Sequence, residues 1–150
     1  MEWVTRRNVK VDRVACPWLI KRFIDPDARF LFVAEDELLE TAKHGPIPFD
    51  APRLPGVKLN HRGERCTFEA IIEDFKLNAP GLQRLALIVL AADIKGQQHL
   101  GPEGAGLRAI AEGFAALGLS DEERLQCGFK IYDALLEYAR SDKQNQKGNG

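Results

Sequence analysis

Between Leu82 and Ala92 the chain is apolar on nearly every side of a helix, with Leu85, Ala86, Leu87, Ile88, Val89 and Leu90 in succession. A helix without a polar face must be surrounded by other elements, so this segment predicts a central helix around which the rest of the chain packs. It is too short to span a bilayer. With 150 residues, 45% of them hydrophobic, the chain is long enough to supply one ordinary core. Two stripes downstream have helical spacing: Leu107, Ile110, Ala111, Phe114, Leu117, and then Leu125, Phe129, Tyr132, Leu136, Ala139. Ser120 and Glu123 have the spacing of a capping box that opens the last helix.

The N-terminal half reads differently. Trp3-Val4-Thr5 and Phe30-Leu31-Phe32-Val33 are β-favouring runs, and between them Pro17 predicts a helix that begins near Cys16 and ends at Asp25-Pro26. Asp12 is a competing cap, but a helix begun there carries Pro17 deeper inside. From Glu35 to Lys43 the acids come first and the base last, which is the order a helix dipole favours; His44 follows as a C-terminal helix charge. Residues 45–56 hold four prolines and form a rigid connecting loop, with Ile47 and Phe49 tucked against the core. Val57-Lys58-Leu59 then reads as a short strand that delivers His61 to the sheet edge. The expectation is an α+β fold: one mainly helical domain over residues 1–140 with a small sheet from the N-terminal half, and a flexible polar tail over 141–150.

A net charge of −1 offers no basic field for nucleic acid. Neither a secretory signal nor a membrane span is evident, and three widely spaced cysteines form no disulfide framework. These features favour a reducing, cytoplasmic setting. Gly101 to Gly106 is glycine-rich but lacks a nucleotide-binding spacing, so no nucleotide cofactor is expected.

The chemistry-bearing residues are sparse. Thr67 is the expected N-cap of the helix after His61, which places Cys16 and Cys66 beside helix starts, where exposed N–H groups and the dipole favour thiolate over thiol. Both also fit inert packing, while Cys127 lies in a helical run and reads as core. Cys16, His61 and Cys66, joined by Asp93 at the end of the apolar helix, form a candidate ligand set for a transition metal such as zinc, copper or iron. No paired C-x-x-C units reinforce that set. Lys10, Arg13 and Arg65 are candidate contacts for an oxyanion. Alternatively, Cys66 or Cys16 is the reacting group of a thiol redox or sulfur-transfer enzyme, or the domain only binds another protein. His99 falls in a polar loop and is expected to be exposed.

The stretch Lys10-Val11-Asp12-Arg13-Val14-Ala15-Cys16-Pro17-Trp18-Leu19-Ile20-Lys21-Arg22-Phe23-Ile24-Asp25 resembles the C-terminal domain of the chromate-resistance protein ChrB. The likeness continues through His61-Arg62-Gly63-Glu64-Arg65-Cys66-Thr67-Phe68, Ala92-Asp93, Pro102 to Leu107, and Ile131 to Leu135. It implies a soluble domain tied to chromate resistance; the candidate residues make binding or sensing of a metal ion or chromate-like oxyanion the expected role. Longer family members look like chromate-responsive regulators with an additional N-terminal region. The resemblance supplies neither a settled reaction nor a list of catalytic residues.

Overall fold

The computed structural model describes residues 1–148, with side chains through Ser141. Its elements are β1 (Glu2–Arg6), α1 (Asp12–Phe23), β2 (Arg29–Val33), α2 (Glu35–Ala42), β3 (Ile47–Pro48), α3 (Thr67–Asp74), α4 (Leu82–Asp93), α5 (Gly104–Ala116) and α6 (Asp121–Gly148), with a short 3-10 turn over Gln98–Leu100. This is the expected α+β domain with a small sheet near the front. The tail predicted for 141–150 falls almost wholly outside the described side chains.

The sheet has the order β2-β1-β3 and is parallel throughout. Parallel neighbours need crossovers, which α1 and α2 provide. Buried Trp3, Val4 and Thr5 make β1 the central strand. β3 contains Pro48, which has no N–H to donate, and accordingly it lies at an edge. Beyond it, the predicted strand at 57–59 is reduced to a single bridge between Phe49 and Leu59.

The apolar helix α4 is central as expected: Leu85, Ile88 and Val89 are fully buried, while α1, α3, α5 and α6 pack around it. Gly104 permits the close approach of α5, since a Cβ there would lie 2.7 Å from that of Ala91. At the other end of the core Trp18 stacks on Phe68 at 6.4 Å and donates its indole N–H to Asp133 of α6 at 2.8 Å. Ser120 and Glu123 exchange the two bonds of the predicted capping box. On α5, Leu107 and Ala111 turn inward, but Ile110 and Leu117 of the same stripe are exposed. Cys127 is exposed rather than core, because two residues' separation from buried Leu125 carries it roughly halfway around the helix.

α1 corrects one expectation. It starts at Asp12, with Pro17 inside it, so Cys16 stands in the second turn instead of at the N-terminus. The Asp12 carboxylate does not cap its own helix; it reaches across to α3, accepting bonds from the backbone N–H groups of Thr67 at 2.9 Å and Phe68 at 3.1 Å. That long-range cap docks the N-terminus of α3 against the first turn of α1.

Candidate functional site

Four acidic or basic side chains from separate elements meet where α1, α3 and α4 approach the edge of the sheet. Asp12 comes from the first turn of α1, Asp50 from the loop after β3, His61 from the turn before α3, and Asp93 from the last residue of α4. His61 Nε2 lies 3.3 Å from Asp12 Oδ2, 3.3 Å from Asp50 Oδ1 and 3.6 Å from Asp93 Oδ2. One N–H cannot point at three oxygens, so this crowding exceeds what a hydrogen bond requires. Ligand atoms of Asp12, His61 and Asp93 all fall within 4.8 Å of one another. Donors about 2.1 Å from a shared cation stand about 3.0 to 3.4 Å apart, a spacing to which the distances within this cluster are close.

Local structure explains each placement. Asp50 follows Phe49 in the proline-rich loop, with its backbone in the left-handed region at φ 50°. Its buried carboxylate accepts the Thr67 hydroxyl at 2.8 Å and faces Arg13 Nε at 3.4 Å and Arg6 at 3.8 Å. His61 leads into a tight turn in which Arg62 and Arg65 exchange backbone bonds at 3.0 Å. Arg62 then clamps both oxygens of Asp74 at 2.7 Å, tying the turn to the far end of α3. Asp93 sits at the C-terminus of α4, where the helix dipole disfavours a carboxylate.

The electrostatics follow from that packing. Hydrogen bonds to Asp12 and then Asp50 push the His61 pKa up to about 10, against the opposing effect of burial. Burial, reinforced by Asp12 and Asp50, raises Asp93 to about 7. Asp12 is also raised, chiefly by burial and then by Asp50, with His61 opposing. Burial pushes Asp50 upward as well, but bonds from His61 and Thr67 and the charge of Arg13 outweigh it and hold Asp50 below the ordinary carboxylate range. His61 is 30% exposed and Asp93 19%, so the cluster has an opening on their side.

A family model described as "ChrB, C-terminal domain" matches residues 3–139 of this chain. The chain belongs to that family. Among curated proteins, Protein ChrB of Cupriavidus metallidurans (strain CH34) is 31% identical over 144 residues, 95% of this chain. The chain spans 42% of the length of that relative. No solved structure matches it.

In this ChrB-type domain, His61 and Asp93 of the four candidate ligands lie together, and the acids beside them, Asp12 and Asp50, were not among the candidates. Cys16 is buried behind Asp12 and donates its thiol to Asp12 Oδ1 at 3.3 Å. Cys66, equally buried, is itself the N-cap of α3 where Thr67 was expected, because the Thr67 side chain and N–H are engaged by Asp50 and Asp12. Burial first, and Asp12's charge second, push both thiols well above their ordinary range. The expectation of easily ionised thiolates is thereby reversed: a helix start cannot offset a dry, acidic neighbourhood.

Of the three candidate oxyanion contacts, Arg13 and Lys10 border the cluster and Arg65 does not. Arg13 adjoins the cluster, but its guanidinium is used by Asp50 and by the carbonyl oxygens of Arg6 and Arg7 at 3.0 and 2.7 Å. Arg65 projects along the outside of α3 to Glu73 at 2.8 Å. Lys10 is exposed and lines a small cavity with Asp93 and Arg108. His44 lies 3.6 Å from Glu40 at the end of α2, and His99 is exposed. Among the described residues, no helix is long and apolar enough to cross a membrane.

Proposed function

We propose that this domain serves chromate resistance by binding a divalent transition-metal ion at Asp12, His61 and Asp93, with Asp50 as the adjoining acid. The observation that carries this reading is the convergence of three carboxylates from separate elements on one imidazole nitrogen. Hard oxygen donors with one imidazole suit manganese, iron(II) or zinc better than a thiolate-seeking ion such as copper(I). The acidic surroundings also favour a cation over a bare oxyanion. Chromate then acts through, or in competition with, the bound metal, and the buried thiols act as packing and as a hydrogen-bond support for Asp12. A thiol-transfer enzyme is the weaker reading, because both sulfurs are dry and their ionisation is opposed.

A proton on His61 and a metal ion compete for the same nitrogen, since only neutral imidazole ligates. With His61 held at about 10, zinc or manganese affinity is expected to rise about tenfold per pH unit from pH 7 to 9, and more steeply from pH 6 to 7, where Asp93 must also lose its proton. Calorimetric titration across that range checks it. A pH-independent affinity would exclude His61 as a ligand, and no binding at any pH would remove the metal reading.

A further inference from the structure

The outer edge of β2 is open: β2 ends the sheet, and among the described residues no strand pairs with its far side. The backbone phase shows what it offers. Arg29 donates its N–H to the Met1 carbonyl at 3.0 Å, and Val33 accepts from Arg7 at 3.0 Å, so odd-numbered residues of β2 face β1. In a parallel ladder the alternate residues point their N–H and C=O groups the other way. Phe30 and Phe32 therefore present theirs to the open edge. Their side chains lie on one face, lining a groove of about 610 Å³ together with Leu125 and Phe129 of α6.

We propose that this edge pairs with a second copy of the chain, β2 against β2 in antiparallel orientation about a two-fold axis at Leu31. That register places Phe30 opposite Phe32 of the second copy, and Phe32 opposite its Phe30. Both pairs consist of residues with outward backbone groups, so each exchanges an N–H and a C=O bond, and the phenyl groups meet across the junction on the same face. Charge selects the same occupant. Exposed Arg29 opens β2, while Glu35, Asp36 and Glu37 follow its end at the start of α2, with Asp36 and Glu37 exposed. Antiparallel pairing brings the cationic end of each strand to the acidic end of the other. Arg29 shares its strand face with Leu31 and Val33, the residues that pack with Leu38 of α2, so it points toward the acids it would meet. A self-complementary patch of this kind forms a closed dimer, and closure covers an edge that would otherwise invite aggregation.

Sedimentation of the full chain from about 1 to 100 μM tests the proposal at an ionic strength where ion pairs persist. The wild type is expected to form a dimer, and Arg29→Glu to weaken it by about tenfold or more. Adding Asp36→Lys and Glu37→Lys to Arg29→Glu reverses both signs and should restore dimerisation, which a merely structural role of Arg29 would not do. Phe32→Pro removes an outward N–H that β1 does not use; with folding verified by circular dichroism, it should leave a monomer. A wild type that stays monomeric at about 100 μM, or a dimer indifferent to Arg29→Glu and to Phe32→Pro, would overturn the proposal.

Discussion

Asp12→Ala is expected to lower the unfolding free energy by about 3 to 5 kcal/mol, the largest stability loss for any single side chain of the site. Asp12 is 2% exposed, and its two oxygens accept bonds from two backbone N–H groups of α3, the Cys16 thiol and His61. Alanine would leave the first turn of α3 with buried unsatisfied donors and His61 with less counter-charge. Asp12→Asn preserves shape but offers one acceptor oxygen in place of two, so it should recover only part of the loss. Urea unfolding monitored by Trp3 and Trp18 measures both. A loss below about 1 kcal/mol for alanine would show that the interhelix cap contributes little.

Asp93→Asn should act in the opposite direction, stabilising the metal-free domain at pH 8 by about 1 to 2 kcal/mol while abolishing metal binding. The sign follows from the raised pKa of about 7 against an ordinary value of 3.8. The folded state holds Asp93's proton more tightly than the unfolded chain does, so that stabilisation is complete below about pH 3.8 and is lost as pH rises to about 7. Above that, the ionised carboxylate sits buried beside Asp12 and Asp50 at a helix C-terminus, and an amide relieves the repulsion. His61 contributes with its own window: its raised pKa stabilises the fold fully below 6.5, and the benefit declines as pH climbs through about 10. Thermal melts of wild type and variant at pH 5 and pH 8 separate these contributions. A variant less stable than wild type at pH 8 would mean that ionised Asp93 supports the fold and need not be reserved for a ligand.

What the sequence disclosed follows the range of the forces involved. Periodic burial is a local signal, so the central helix, the capping box at Ser120 and the first two strands of the sheet were legible directly, whereas β3 falls in the proline-rich stretch read as a loop. Pro17 misled because proline position usually reports a helix start, whereas α1 begins five residues earlier at Asp12, whose carboxylate bonds to α3, 55 residues away in sequence. For the site, His61 and Asp93 were legible as ligand-type residues near element ends. Asp50 was not, although its setting directly after Phe49, a residue expected to face the core, carried a signal: an acid beside such a residue needs a partner. The cysteines drew attention through their positions beside helix starts, but their ionisation is governed by burial and by Asp12, neither of which spacing reveals. Likewise spacing does not reveal that Arg13 turns to Asp50 whereas Arg65 turns along α3 to Glu73.

The most direct test of the central claim is metal content after loading purified wild type and His61→Ala with zinc or manganese at pH 8 and dialysing away the free ion. His61 caps no helix but is the counter-charge shared by Asp12, Asp50 and Asp93, so the variant's fold is verified by circular dichroism before the comparison. The account predicts about one ion per chain in the wild type and less than about a tenth of that in the variant. Equal metal content in the two proteins, or none in the wild type, would contradict it.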